Sequence, residues 1–220
     1  MTKSAHPTHP THPTLCEPCN KRGLARQQKF LETAEELFLT IGYANTSVNE
    51  VVRIAGGSLV TLYRIFGNKL GLFEAVFRKK TMAFFNELDE GVELGSDLES
   101  CLMKFGRHMQ SVILREDGIA IYRLVLMENN ADQKEIQRIY YKYGPQVAIG
   151  MLSKYLKLQA KANKIEVDSP ELAAAQFMEM IKGPFVTRLI FGEVITKEEV
   201  ELALKQGVKI LLHGLAVKQP

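Results

Sequence analysis

The 220-residue chain predicts an all-α protein, with a three-helix helix-turn-helix unit at the N-terminal end and a larger helical bundle behind it. Three observations carry that prediction. Apolar residues recur every three or four positions through most of the chain, which is the period of one helix face. Serine, threonine or aspartate opens many of these runs, and three times glutamate follows three residues later, the form of a capping box. No segment alternates apolar and polar residues convincingly, as a half-buried strand would.

Composition agrees with a folded core. Hydrophobic residues make up 46% and charged residues 24%, and the length suits one domain or two small ones. Three cysteines do not make a disulfide framework and point to a reducing cytoplasm. The longest apolar stretches, 119–127 and 185–192, are too short to span a bilayer and contain Arg123 and Arg188. The first residues lack the apolar run of a secretory signal, so none is expected. Transmembrane, collagen-like and disulfide-stapled classes are excluded.

The net charge of +3 is uneven. From Lys21 to Lys80 there are ten basic and five acidic residues, whereas residues 81–220 carry 17 basic and 19 acidic ones. A basic N-terminal third suggests a module for a polyanion.

Taken in order, residues 1–21 read as an extended, disordered arm. They hold four of the eight prolines and the repeat His6-Pro7-Thr8, His9-Pro10-Thr11, His12-Pro13-Thr14. From Leu24, the positions Phe30, Leu31, Ala34, Leu37, Phe38 and Ile41 form one helix face that Gly42 ends. Ser47 to Glu50 open a short helix, and Gly56-Gly57 break it. Ser58 caps the next, Leu59 to Phe66, and a longer helix runs from Lys69 to about Asp89. Ser96 to Glu99 open a helix to about Leu114. Asp117 and Asp132 are candidate caps for two more, and Gly144-Pro145 interrupt the second, which resumes to about Asn163. Asp168-Ser169-Pro170-Glu171 start a helix to about Phe191, kinked at Pro184, and Thr196 to Glu199 open the last, to about Leu215. The count is about nine helices. The domains fall at 1–21, 22–70 and 71–220.

Two short helices joined by a tight glycine turn inside a basic segment make a helix-turn-helix arrangement. The major groove admits one helix, and a helix N-terminus with a hydroxyl, as at Ser58, suits a phosphate. Periodicity alone leaves open a plain helical bundle without DNA.

Between Arg26 and Val76 the sequence resembles the TetR/AcrR family of bacterial transcriptional regulators. The residues that carry the likeness are Ala34-Glu35-Glu36-Leu37-Phe38, Gly42-Tyr43, Thr46-Ser47-Val48 and Ala55-Gly56-Gly57-Ser58. It continues through Thr61-Leu62-Tyr63-Arg64-Ile65-Phe66, Asn68-Lys69 and Leu72-Phe73. The resemblance implies a recognition helix at Leu59 to Phe66. It implies DNA contacts from Thr46, Ser47, Ser58, Leu59, Val60, Thr61, Tyr63, Arg64, Asn68 and Lys69. The sequence departs from the family's usual residues at Gly57 (often Val), Leu59 (often Lys) and Ile65 (often His or Tyr). These departures predict weaker docking, a more flexible turn and an unusual operator.

The later part resembles the ligand domain of AefR-like members through Tyr122-Arg123-Leu124-Val125, Gly144-Pro145, Asp168 to Ala174, Phe177 and Lys182-Gly183. This implies dimerisation through the last two helices, about 169–191 and 196–215, and a small-molecule pocket among the preceding ones. The apolar residues Val200, Ala203, Leu204, Val208, Leu211, Leu212 and Leu215, with Phe177, Ile181, Phe185 and Leu189, are candidates for an intersubunit four-helix bundle or for intramolecular core. Candidate pocket residues are Met103, Phe105, His108, Met109, Tyr122, Arg123, Met127, Tyr140 and Phe177.

In the arm, His6, His9, His12, Cys16 and Cys19 place three imidazoles and two thiols close together. They are candidate ligands for Zn, Ni or Cu(I), against the reading of a low-complexity tail. No HExxH, GxSxG, GxGxxG or P-loop occurs, so no enzyme and no cofactor is expected.

The sequence therefore supports a cytoplasmic, homodimeric repressor that binds double-stranded operator DNA and is released by a small-molecule effector. The alternative is an all-α ligand- or metal-sensing protein with weak or no DNA binding, kept open by Gly57 and Leu59.

Overall fold

Short caps and glycine breaks divide the chain into helices that pack around two apolar cores. The computed structural model describes residues 21–91, 97–129 and 131–217. These residues form α1 (Lys21–Asn45), α2 (Val48–Ala55), α3 (Leu59–Phe66), α4 (Lys69–Gly91), α5 (Leu98–Ile113), α6 (Glu116–Met127), α7 (Gln133–Tyr143), α8 (Pro145–Lys161), α9 (Pro170–Ile190) and α10 (Lys197–Gly214). One antiparallel pair, β1 (Ile165–Glu166) with β2 (Ala216–Val217), lays the end of the chain beside the α8–α9 link. The fold class is all-α, as the sequence predicts.

The caps explain most boundaries. Ser47, Ser58, Ser169 and Thr196 each accept a backbone N–H from the first turn of the helix that follows. At Thr196 the box closes in both directions, with Glu199 accepting from the Thr196 N–H. At Ser47 only half a box forms, because Glu50 turns to Arg53 instead. Asp97 caps α5 by accepting from Ser100, while Ser96 lies outside the described residues. Asp117 and Asp132 do not cap, since their carboxylates are taken by partners described below. Gly42 breaks the helical dihedrals at φ 81°, as expected, but one further turn runs on to Asn45.

The first core joins α1 to α4 through Phe30, Phe38, Tyr43, Leu62, Phe66 and Phe73. It does not stop at residue 70, where the sequence places a domain boundary. Leu124 and Val125 of α6, and Ile136 and Ile139 of α7, are buried in the same cluster. The second core joins α5, α8, α9 and α10 through Leu102, Phe105, Leu152, Leu156, Phe177, Ile181 and Leu204. Buried Gln110 is satisfied there by donating to the carbonyls of Ile181 and Val200.

This packing corrects one expectation and decides between two others. Phe177, a candidate pocket residue, is fully buried in the second core. Leu204, Val208, Leu211, Leu215, Ile181 and Phe185 are buried within the protomer, so they are not free to face a second copy. Helical periodicity finds an apolar face, but it does not say whose side chains cover it.

Replacing Phe177 with alanine should lower the free energy of unfolding by about 3–5 kcal/mol, the range for truncating a buried aromatic. Urea denaturation measures this, and a loss under about 1 kcal/mol would place Phe177 on a cavity wall instead.

Candidate nucleic-acid interface and internal cavity

The turn between α2 and α3 is built on two positive-φ glycines, Gly56 at 72° and Gly57 at 102°. Gly57 is not a weakness in this turn. A Cβ there would lie 3.0 Å from Phe30 Cζ and 3.1 Å from Arg26 Cδ, besides the strain of its φ. Arg26 reaches from α1 to donate to the Ala55 carbonyl at 2.7 Å, satisfying the C-terminal end of α2. The sequence pattern gave Arg26 no role.

Helix α3 buries Leu62, Ile65 and Phe66, half-buries Leu59 and Thr61, and turns Val60, Tyr63 and Arg64 outward. Ile65 is therefore core, and its apolar character costs the exposed face nothing. Ser58 is exposed and spends its oxygen on the Thr61 N–H, with the Thr61 hydroxyl 3.0 Å away. Ser47 and Asn68 are exposed caps, and Asn68 Oδ1 accepts from Gly71 N–H at 2.8 Å. Thr46 differs from its expected role. Its side chain is buried, and its hydroxyl donates to the Gly42 carbonyl at 2.7 Å, so that hydroxyl is not presented to a phosphate.

Lys69 is half-buried against its own protein. Its ammonium donates to the Ala44 carbonyl at 3.1 Å and lies 4.4 Å from the centre of the Tyr43 ring. Burial lowers its pKa, against the nearby Glu128 and Asp132 charges that raise it.

The same corner is tied to the C-terminal part of the chain. The Tyr43 hydroxyl donates to Asp132 Oδ2 at 2.7 Å, and the Ala44 N–H donates to Glu128 Oε2 at 3.1 Å. Burial pushes the Tyr43 phenol up strongly, and its bond to Asp132 adds to the shift. At the other end of α6, Lys80 of α4 pairs with Glu35 of α1 at 2.6 Å and with Asp117 at 3.0 Å. Burial would lower the Lys80 pKa, but the two carboxylates outweigh it and raise it. None of these ties was legible from sequence, because the partners are far apart in the chain.

A cavity of about 1350 Å³ lies among α4 to α9 and the end of α10. Of the expected residues, Met109, Tyr122 and Tyr140 line it. Met103 and Phe105 pack in or against the second core instead. His108 stacks on Phe84 with ring centres 4.5 Å apart, and its Nε2 lies 3.2 Å from the Phe84 carbonyl. Arg123 is exposed and donates to the carbonyls of Leu189 and Ile190 at the end of α9. Met127 is 75% exposed. Thus Met103, Phe105, His108, Arg123, Met127 and Phe177 are not among the lining residues. The expected metal ligands His6, His9, His12, Cys16 and Cys19 lie outside the described residues. Among the described residues no group of three or more His, Cys, Asp or Glu could hold a metal, and no helix is long and apolar enough to cross a membrane.

A glycine-turned helix pair with an exposed second helix, joined to a helical bundle around a large apolar cavity, defines a helix-turn-helix DNA-binding regulator. Comparison with known proteins gives the family. Residues 30–76 match the bacterial regulatory proteins of the tetR family, and residues 100–214 match the C-terminal domain of AefR-like transcriptional repressors. The second match alone spans more than half of the chain, so the chain belongs to the TetR family of transcriptional regulators, with an AefR-like C-terminal domain. It is 27% identical over 204 residues to the uncharacterized HTH-type transcriptional regulator YvkB of Bacillus subtilis (strain 168), covering 90% of this chain and 98% of that one. Its fold is shared with a TetR-family regulator from Mesorhizobium loti MAFF303099, with a TM-score of 0.78 at 22% identity, over 90% of this chain and 100% of that one. It is also shared with the flavonoid-responsive regulator FrrA, with a TM-score of 0.75 at 24% identity, over 88% of this chain and 98% of that one.

Tyr43→Phe removes a part-buried bond to the Asp132 carboxylate and should destabilise the protein by about 1.5–3 kcal/mol, read by urea unfolding. Asp117 gives a pH signature. Burial would raise its carboxyl pKa, but its hydrogen bonds from Arg115 and Lys80 outweigh this and depress it. A depressed folded-state pKa contributes stability above the unfolded carboxyl range, and that stability is lost as pH falls through the lower folded value. Thermal melts of Asp117→Asn should therefore fall less steeply between about pH 5 and pH 3 than those of the unsubstituted protein.

Proposed function

We propose that the protein is a homodimeric repressor whose operator binding is released by a small-molecule effector held in the cavity. The observation that carries this reading is the double use of α6. Leu124 and Val125 belong to the core of the DNA-binding unit, while Gly118, Ile121 and Tyr122 on the same helix line the cavity. Its ends are tied to that unit by Asp117–Lys80–Glu35 and by Glu128–Ala44. An effector that fits better when α6 is displaced would move the corner at Tyr43–Ala44 and, with it, the start of α2.

The exposed residues Val60, Tyr63 and Arg64, flanked by Ser47, Ser58, Asn68 and Lys69, form the proposed DNA face. Tyr63 offers a phenol to a phosphate oxygen, and Lys69 would leave the Ala44 carbonyl to do the same. Dimerisation is proposed through the outward sides of α9 and α10, where Leu202 of α10 is exposed. Beyond these helices, Phe191 and Val194 of the connecting loop are also exposed. Two half-sites one DNA turn apart require such a dimer. The cavity's largely apolar and aromatic lining favours an effector of that character, and FrrA is named for its response to flavonoids, which are aromatic. The alternative without DNA rested on Gly57 and Leu59. The turn requires Gly57, and Leu59 is half-buried, so neither argues against a DNA face.

The test is binding of the purified protein to the DNA flanking its own gene, at two salt concentrations, with non-specific competitor present. Specific, salt-sensitive binding is expected. Tyr63→Ala should weaken all sequences by about tenfold, and Lys69→Met should reduce the salt slope by about one. Unchanged affinity in both variants would overturn this assignment of roles.

A further inference from the structure

We propose that the effector is an aromatic monoacid, carrying one carboxylate or ionised phenol on an apolar ring body, with Lys182 as its counter-charge. This rests on the reading of the cavity as the effector site. The ring body follows from the walls, where Phe77, Phe84, Phe85, Tyr122 and Tyr140 come together. Such rings favour offset or edge contacts with another ring.

The sign of the charge follows from where the ionised groups stand. Among the described residues, Lys182 of α9 is the one basic residue lining the cavity. Its side chain is only 14% exposed, and its ammonium lies 5.9 Å from the centre of the Tyr122 ring. The Tyr122 ring in turn meets the Tyr140 ring, with centres 5.6 Å apart. The Lys182 partner, Glu179 at 2.6 Å, keeps 68% of its side chain exposed. The remaining lining carboxylates, Glu166 and Asp168, are exposed as well.

The cavity therefore offers one enclosed cation, while each of its carboxylates faces water. An acid entering the cavity would take a charge-assisted hydrogen bond from Lys182. Glu179 would be released into water, where its carboxylate is already largely exposed, and Lys182 would exchange one anionic partner for another. An ammonium ligand would meet only hydrated carboxylates and would leave Lys182 facing it as a like charge.

The test is calorimetric titration of the full-length protein with three probes that share one ring system: naphthoate, naphthalenemethanol and naphthylmethylammonium. Naphthoate should bind about tenfold tighter than the alcohol, and the ammonium most weakly. Lys182→Gln should abolish the preference for the acid while leaving the alcohol within about twofold. Glu179→Gln removes the competing carboxylate, so it should tighten naphthoate binding severalfold. This variant keeps the test decisive if Lys182→Gln does not fold. Tighter binding of the ammonium than of naphthoate, or a naphthoate affinity unchanged in Glu179→Gln, overturns the acid assignment and leaves the cavity as the effector site. No binding of any probe overturns both.

Discussion

Tyr43 sits where the chain turns from its first helix into its second, buried among Phe38, Phe73 and the α6–α7 link. Its ring stacks on Phe38 and meets Phe73 edge-on, with centres 5.6 and 5.5 Å apart, while its hydroxyl reaches Asp132. The adjacent N–H is held by Glu128, and the adjacent carbonyl by Lys69. A buried phenol and a buried carboxylate are costly unless paired, so this corner has few alternative arrangements. Position and pairing together tie the two parts of the molecule at this point.

Much of the remaining architecture depends on that corner. The start of α2 follows it within a few residues, and Arg26, Gly56 and Gly57 then fix α3 against α1. Small helices of eight residues have little stability of their own and take their orientation from such contacts. The direction in which Tyr63 and Arg64 point is therefore set partly by Glu128 and Asp132, which lie far from them in sequence. Helix α6 carries Glu128 at its C-terminal cap and faces the cavity with Tyr122, so one helix meets both the cavity and the core beneath α1 to α4.

Local signals were legible in the sequence where the chemistry is local. Ser47, Ser58, Ser169 and Thr196 announce helix starts because a cap is a bond to a residue two or three positions away. The exposed Val60, Tyr63 and Arg64 follow from the α3 period and the family resemblance together. What was not legible is long-range. Phe177 has the pattern of either a core or a pocket residue, and only the packing of α5 and α10 decides. Arg123 looked like a polar anchor for a ligand, yet the end of α9 takes its donors. Ile65 looked like a lost polar contact until its burial in the first core was apparent. Lys182 appeared only as part of a resemblance, because its enclosure depends on neighbours from other helices. A two-residue β-pair such as β1–β2 has no period to read.

The proposed release of DNA requires that DNA binding and the cavity be coupled through α6. Amide hydrogen exchange on the full-length protein, free and saturated with the DNA flanking its own gene, tests this without any knowledge of the effector. Altered protection is expected in α2 and α3 and also along α6 (116–127) and the α6–α7 link. Changes confined to the first three helices, with α6 unaltered, would contradict it.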